Sequence, residues 1–191
     1  MLVRILARAA VAALVLCAAA GPAQAGAQAG AQRAALASDS SFIQMAGSLG
    51  LLQVKLGKLA EEKGSSPAVR DFGKRMVADY SKVSEELAAG AKQAAYPAPA
   101  LLRQHTQVVE RFLNMGRASF DKNYMAEMVN DHGDAVRLFQ QESKAGRVAS
   151  LKQLASRMLP MMQQHMALAT ETAGSVGVDV TAAKAGDQQG S

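Results

Sequence analysis

Cysteine is nearly missing from this sequence, tryptophan is missing altogether, and aromatic residues make up only 4% of its 191 positions. So few rings argue against an all-β sandwich, which draws on aromatic and β-branched residues between regularly spaced turns. Acidic residues are missing from the first 38 positions: Asp39 is the first, preceded by only three charges, Arg4, Arg8 and Arg33. Strong net charge is lacking too. The formal +5 drops to +3 once Arg4 and Arg8 are set aside, a balance too weak to imply nucleic acid or an anionic membrane as partner. No glycine-rich phosphate loop and no βαβ alternation occur. What is abundant is small and apolar: hydrophobic residues, alanine foremost, reach 49%, which speaks against disorder throughout.

The first 25 residues read as a secretory signal peptide. Arg4 and Arg8 supply a basic start, Ala9 to Ala20 an unbroken apolar run, Gly21-Pro22 a break, and Ala23-Gln24-Ala25 the small residues that a signal peptidase inspects. The run is twelve residues long, against about 20 for a bilayer-spanning helix, which argues against the alternative of an uncleaved anchor. No adjacent arginine pair marks the folded-export route. The only cysteine, Cys17, follows Leu16, which is too bulky for lipoprotein processing. Cleavage after Ala25 leaves a mature chain without thiols, so a disulfide scaffold and a zinc–thiolate site are both excluded. The expected location is periplasmic or secreted, with no transmembrane helix in the mature chain.

Residues 26–38 are rich in Ala, Gly and Gln and read as a flexible leader, and 174–191 as a disordered C-terminal tail. The intervening 39–173 is enough for one core of ordinary size. Its apolar residues recur at helical spacing. The first stripe is Phe42, Met45, Leu49, Leu52, Leu56 and Leu59. Ser66-Pro67 opens a second helix, a hydroxyl cap followed by proline at a position that needs no N–H. Its stripe is Val69, Phe72, Met76, Tyr80, Val83 and Leu87. A shorter helix carries Leu102, Val109 and Phe112. The next carries Phe120, Tyr124, Met128, His132, Ala135 and Phe139, and the last Leu151, Leu154, Met158, Met161, His165 and Leu168. Four long amphipathic helices and a short connecting one predict an all-α, four-helix bundle. Pro160 is expected to kink the last helix and to free a backbone carbonyl near the interior.

Several strings resemble an exported bacterial family of ferritin-like proteins, the "domain of unknown function 4142". They are Val54-Lys55-Leu56-Gly57-Lys58-Leu59-Ala60, the run from Ala68 to Asp79, Phe120-Asp121-Lys122-Asn123-Tyr124, Asp131-His132, and Leu159-Pro160 followed by His165. The resemblance spans roughly Ser40 to Thr172 and implies a ferritin-like helical bundle and export. The family's own biochemical role is poorly defined. Two positions depart from it: members commonly carry a glutamate where this chain has Gln53, and a histidine where it has Tyr80. By analogy with di-iron carboxylate bundles, those are ligand positions. Such sites take a glutamate from each of two helices and Glu-x-x-His from the other two, and no Glu-x-x-His occurs in this sequence. A carboxamide and a phenol are weak ligands for a hard cation.

Helical phase places Gln53, Tyr80, His132 and His165, one from each long helix, towards the interior. One reading is an altered metal site, with His132 and His165 as neutral imidazole ligands and Asp79 or Asp131 nearby. The other is a core hydrogen-bond network in which Tyr80 and Gln53 satisfy the two histidines. Met158, Met161, Met162 and Met166, with Met125 and Met128 on the preceding helix, are soft ligands that suit Cu(I), or simply core filler. His105, beside Gln104 in the short helix, is expected at the surface. No serine has a matched His/Asp pair, and Glu61 and Glu62 are adjacent, so they cannot face each other as an acid/base pair.

The sequence therefore names no cofactor and favours a non-enzyme. Its first reading is an exported binding or envelope-stress protein with an unidentified protein partner. The alternative is a periplasmic metal-binding protein for copper, iron or zinc through His132 and His165. A di-iron oxidase is disfavoured by the lacking carboxylates.

Overall fold

The computed structural model describes residues 22–180, with side chains from position 38 onward. It is all-helical. Five helices follow one another: α1 (Pro22–Lys63), α2 (Pro67–Gln93), α3 (Arg103–Leu113), α4 (Arg117–Ala145) and α5 (Ala149–Ser175), with no strand among the described residues. The chain divides between Arg33 and Ala34 into two units. Residues 22–33 of the first are helical backbone, and the second holds everything that follows. No helix among the described residues is long and apolar enough to cross a membrane.

Most of the expected signal segment lies outside the described residues. Its last positions, 22–25, begin α1, and 26–38, expected as a flexible leader, is helical as well. Alanine is the strongest helix former and proline is tolerated in the first turn, which accounts for a helix where no apolar stripe exists. At the other end, α5 runs on to Ser175, and Val176, Val178 and Val180 pack against the core. Of the segment expected as a tail, residues 174–180 are therefore seen against the core, and 181–191 lies outside the described residues.

The stripes of α2 and α4 are buried in full: Val69, Phe72, Met76, Tyr80, Val83 and Leu87 on one, Phe120, Tyr124, Met128, His132, Ala135 and Phe139 on the other. In α5 the phase differs slightly. Met162 and Ala169 are buried, whereas Met161 and Leu168 lie half-buried at the edge. α5 packs on α4 and on α2. α1 meets α2 at a glycine crossing, where a Cβ on Gly57 would stand 2.7 Å from the Gly73 carbonyl oxygen and one on Gly73 2.7 Å from that of Gly57. Only hydrogen at both positions permits this approach. Phe42 of α1 meets Phe139 of α4 edge-on at 5.3 Å.

Carboxylates and one lysine fasten the helix ends. Ser66 adopts the extended N-cap conformation, but its hydroxyl makes no cap bond; the Asp121 carboxylate instead accepts the Ser65 and Ser66 N–H groups at 3.0 and 2.7 Å. Asp39 accepts the Val148 N–H at 2.8 Å and that of Arg147 at 3.1 Å, capping α5 from α1. Negative charge at a helix N-terminus is favourable in both cases. Lys63 donates to the carbonyls of Phe112, Leu113 and Met115, closing the C-terminal end of α3. Pro160 is inside α5 but exposed, as is Ser156 one turn earlier, so the carbonyl it frees lies on the outer face and not towards the interior.

Candidate functional site

The four polar side chains expected inside are all there: Gln53, Tyr80, His132 and His165 are each 1% exposed or less. They do not form the network expected of them. His132 donates from Nδ1 to the Met128 carbonyl at 2.7 Å, a bond within its own helix. His165 donates from Nε2 to the Asp79 carboxylate at 2.9 Å. Because a carbonyl and a carboxylate only accept, these bonds fix both tautomers. The remaining nitrogens, Nε2 of His132 and Nδ1 of His165, are bare lone pairs, and both are buried without a partner.

Tyr80 and Gln53 have other partners. The Tyr80 hydroxyl donates to the Met162 sulfur at 3.4 Å, and the Gln53 amide donates to Asp131 Oδ2 at 2.8 Å. Gln53 Oε1 is a third buried acceptor without a donor. The Tyr80 ring lies 5.8 Å from that of His132 and 5.4 Å from that of His165, and the two imidazoles stand perpendicular with centroids 5.7 Å apart. Phe72 closes the His132 side edge-on at 6.0 Å.

Burial sets the electrostatics. It pushes the His132 imidazole down to about 4, more than the Met128 carbonyl can restore, and the neighbouring His165 adds to the effect. His165 is lowered as well, by burial first, with Asp79 opposing. Both rings are therefore neutral at ordinary pH. Burial also raises the Tyr80 phenol, so it stays a protonated donor. Asp131 is pushed up to about 8, again by burial first and then by Glu127, while the Gln53 hydrogen bond works the other way. Asp79 is tied on its outer side to Arg75 at 3.3 Å.

Among the methionines, Met125, Met128, Met158 and Met162 are buried and Met161 and Met166 partly so. His105 is not the surface residue expected. It is mostly buried, and its Nδ1 and Ser48 Oγ share a hydrogen bond at 2.6 Å, while Ser48 Oγ accepts the Leu102 N–H at 2.8 Å. Asp131 lines a groove of about 380 Å³ between α1, α3 and α4, together with Met45, His105 and Arg137. Through Gln53 that groove is one hydrogen bond away from the interior. Among the described residues, no three His, Cys, Asp or Glu side chains converge to hold a metal ion. Glu62 is exposed and Glu61 half-buried.

The chain is thus an all-helical protein with a pair of neutral imidazoles enclosed in its core. It belongs to the family described as "Domain of unknown function (DUF4142)", which matches residues 23–172. No match is found among curated proteins or among solved structures.

Proposed function

We propose that this chain is an exported, non-catalytic binding protein built as a ferritin-like four-helix bundle, and that it binds a metal ion between His132 and His165. One observation carries this reading: two fully buried neutral imidazoles each donate one N–H to an acceptor and leave the other nitrogen unpartnered. Histidine ligands are held in this way, with the non-ligating N–H on a carbonyl or carboxylate. A buried acceptor left without a donor costs about 1–3 kcal/mol, and two of them at one place call for an occupant. The spacing suits a shared one. Bonds of about 2 Å to one ion put two imidazole centroids roughly 5–6.5 Å apart, and the observed separation is 5.7 Å.

A di-iron centre does not fit these donors. Gln53 is engaged with Asp131, the Tyr80 phenol is protonated and given to Met162, and among the described residues no carboxylate joins the two histidines as a metal-holding group. Oxidase chemistry is accordingly no part of the proposal. Export is supported by the basic start, apolar run and small-residue cleavage pattern of the first 25 residues.

The test is a titration of the purified chain with Cu(I), Zn(II) and Fe(II), repeated on a His132→Ala/His165→Ala variant. Stoichiometric binding tighter than micromolar, lost in the variant, is the expected result. Binding that survives the double substitution moves the site elsewhere, and no binding at all removes the metal reading.

A further inference from the structure

From the donor set around the two open nitrogens, we infer that the ion is a soft monovalent cation, Cu(I) in chemical class, completed by the thioethers of Met162 and Met128. The inference rests on the metal reading above and names its ligand. Each histidine has a fully buried methionine one helical turn before it on its own helix: Met128 precedes His132 by four residues, and Met162 precedes His165 by three. Residues three and four apart share a helix face, so sulfur and imidazole are presented from the same side of α4 and of α5. Di-iron bundles use Glu-x-x-His in this register; this chain has Met162-Gln163-Gln164-His165.

Charge and softness then choose the ion. The two imidazoles are neutral, the thioethers are neutral, and Tyr80 is a phenol that donates to Met162 and is not a phenolate. Asp79 stands behind His165 and shares its charge with Arg75, and Asp131 is turned to the Gln53 amide. A divalent ion here would be buried without an anionic ligand. Its desolvation penalty rises with the square of the charge, about four times that of a monovalent ion. Thioethers select Cu(I) over the harder zinc and iron ions. Tyr80 is a positioning residue: its hydroxyl holds the Met162 sulfur from one side and leaves the second lone pair for the ion.

The experiment uses the full chain under anaerobic conditions, with Cu(I) delivered from a bicinchoninate complex and Ag(I) as a redox-inert monovalent probe. One equivalent of either is expected to bind, with Zn(II) held at least roughly a hundredfold more weakly. X-ray absorption of the copper-loaded protein is expected to show both nitrogen and sulfur neighbours. Met162→Leu, which conserves volume, is expected to weaken Cu(I) by about tenfold or more. Zn(II) or Fe(II) bound preferentially, with histidine dependence, overturns this inference and leaves the metal reading standing. No cation bound at all removes both, the open nitrogens then being bridged by an ordered water. Copper bound through nitrogen alone overturns the thioether assignment, and that spectrum on the unmodified protein decides it even where a variant fails to fold.

Discussion

Glu142 and Asp39 stand together as two buried acidic groups whose charges act on each other, at the point where α1 caps the start of α5. Asp39 is already committed to the backbone N–H groups of Arg147 and Val148, so the proton in the pair belongs to Glu142. Burial first, then the charge of Asp39, pushes Glu142 up to about 7 from 4.5, against the pull of Lys152. The folded state therefore holds a proton that the unfolded chain has released above pH 4.5. This group's contribution is full at acid pH and is lost as pH rises through about 7. Chemical denaturation at pH 5, 6, 7 and 8 should show stability falling across that window. Glu142→Gln, which keeps a donor facing Asp39 at every pH, should flatten the slope and exceed the parent at pH 8. An unchanged slope in the variant would mean that other groups set it.

The α1–α2 crossing at Gly57 and Gly73 is a close backbone approach that should tolerate no side chain. A Cβ at Gly73 would lie 2.7 Å from the Gly57 carbonyl oxygen and 2.8 Å from the Ala60 Cβ. Backbone cannot move aside as the end of a flexible side chain can, so Gly73→Ala must push the helices apart. Overpacking of this kind costs about 1–3 kcal/mol, more than the alanine gains in helix propensity, roughly 1 kcal/mol. A Tm equal to or above the parent's would show that the crossing is looser than described.

Ala95 offers the opposite case. It follows the end of α2 with φ at 56°, and the Tyr96 N–H returns to the Ala91 carbonyl at 2.9 Å while its own N–H reaches Lys92 at 3.2 Å. These are the two bonds of a Schellman ending, whose left-handed position is normally glycine. Ala95→Gly should stabilise the chain by about 1 kcal/mol by removing the Cβ strain. The measurement is a urea midpoint shift without change in slope.

Of the core, the stripes of α2 and α4 are legible in full because each holds one phase over about five turns. α5 was less so: Met161 and Met162 are adjacent, both apolar, and periodicity does not choose between them. The candidate site was legible as a set of residues and not as a set of bonds. Gln53 finds Asp131 across 78 positions, and His105 finds Ser48 across 57. No local pattern announces such partners, so His105, beside a glutamine in a short polar helix, looked like a surface residue. The same holds for Ser66, whose expected cap is replaced by Asp121, 55 positions away. The open nitrogens were likewise invisible in the sequence, since which ring nitrogen is bonded is a matter of rotamer and neighbour.

Those open nitrogens make a stability prediction that is independent of any titration with metal. Nε2 of His132 is a lone pair in the buried core, with no donor among the protein groups around it. Its other nitrogen bonds to the Met128 carbonyl, a group belonging to the α-helical backbone. Replacing the imidazole by an apolar side chain of similar size therefore removes one unsatisfied acceptor and strands nothing new. His132→Leu should leave the metal-free chain as stable as the parent or more stable by about 1–2 kcal/mol. A buried histidine kept only for packing would behave differently, losing stability on substitution through its contacts with Phe72 and Tyr80. Denaturation of the chelator-treated proteins separates the two. A loss above about 2 kcal/mol in the leucine variant places His132 among ordinary core residues, whereas a gain that reverses when copper is added to the parent marks it as a residue held at a cost to the apo fold for the ligand it binds.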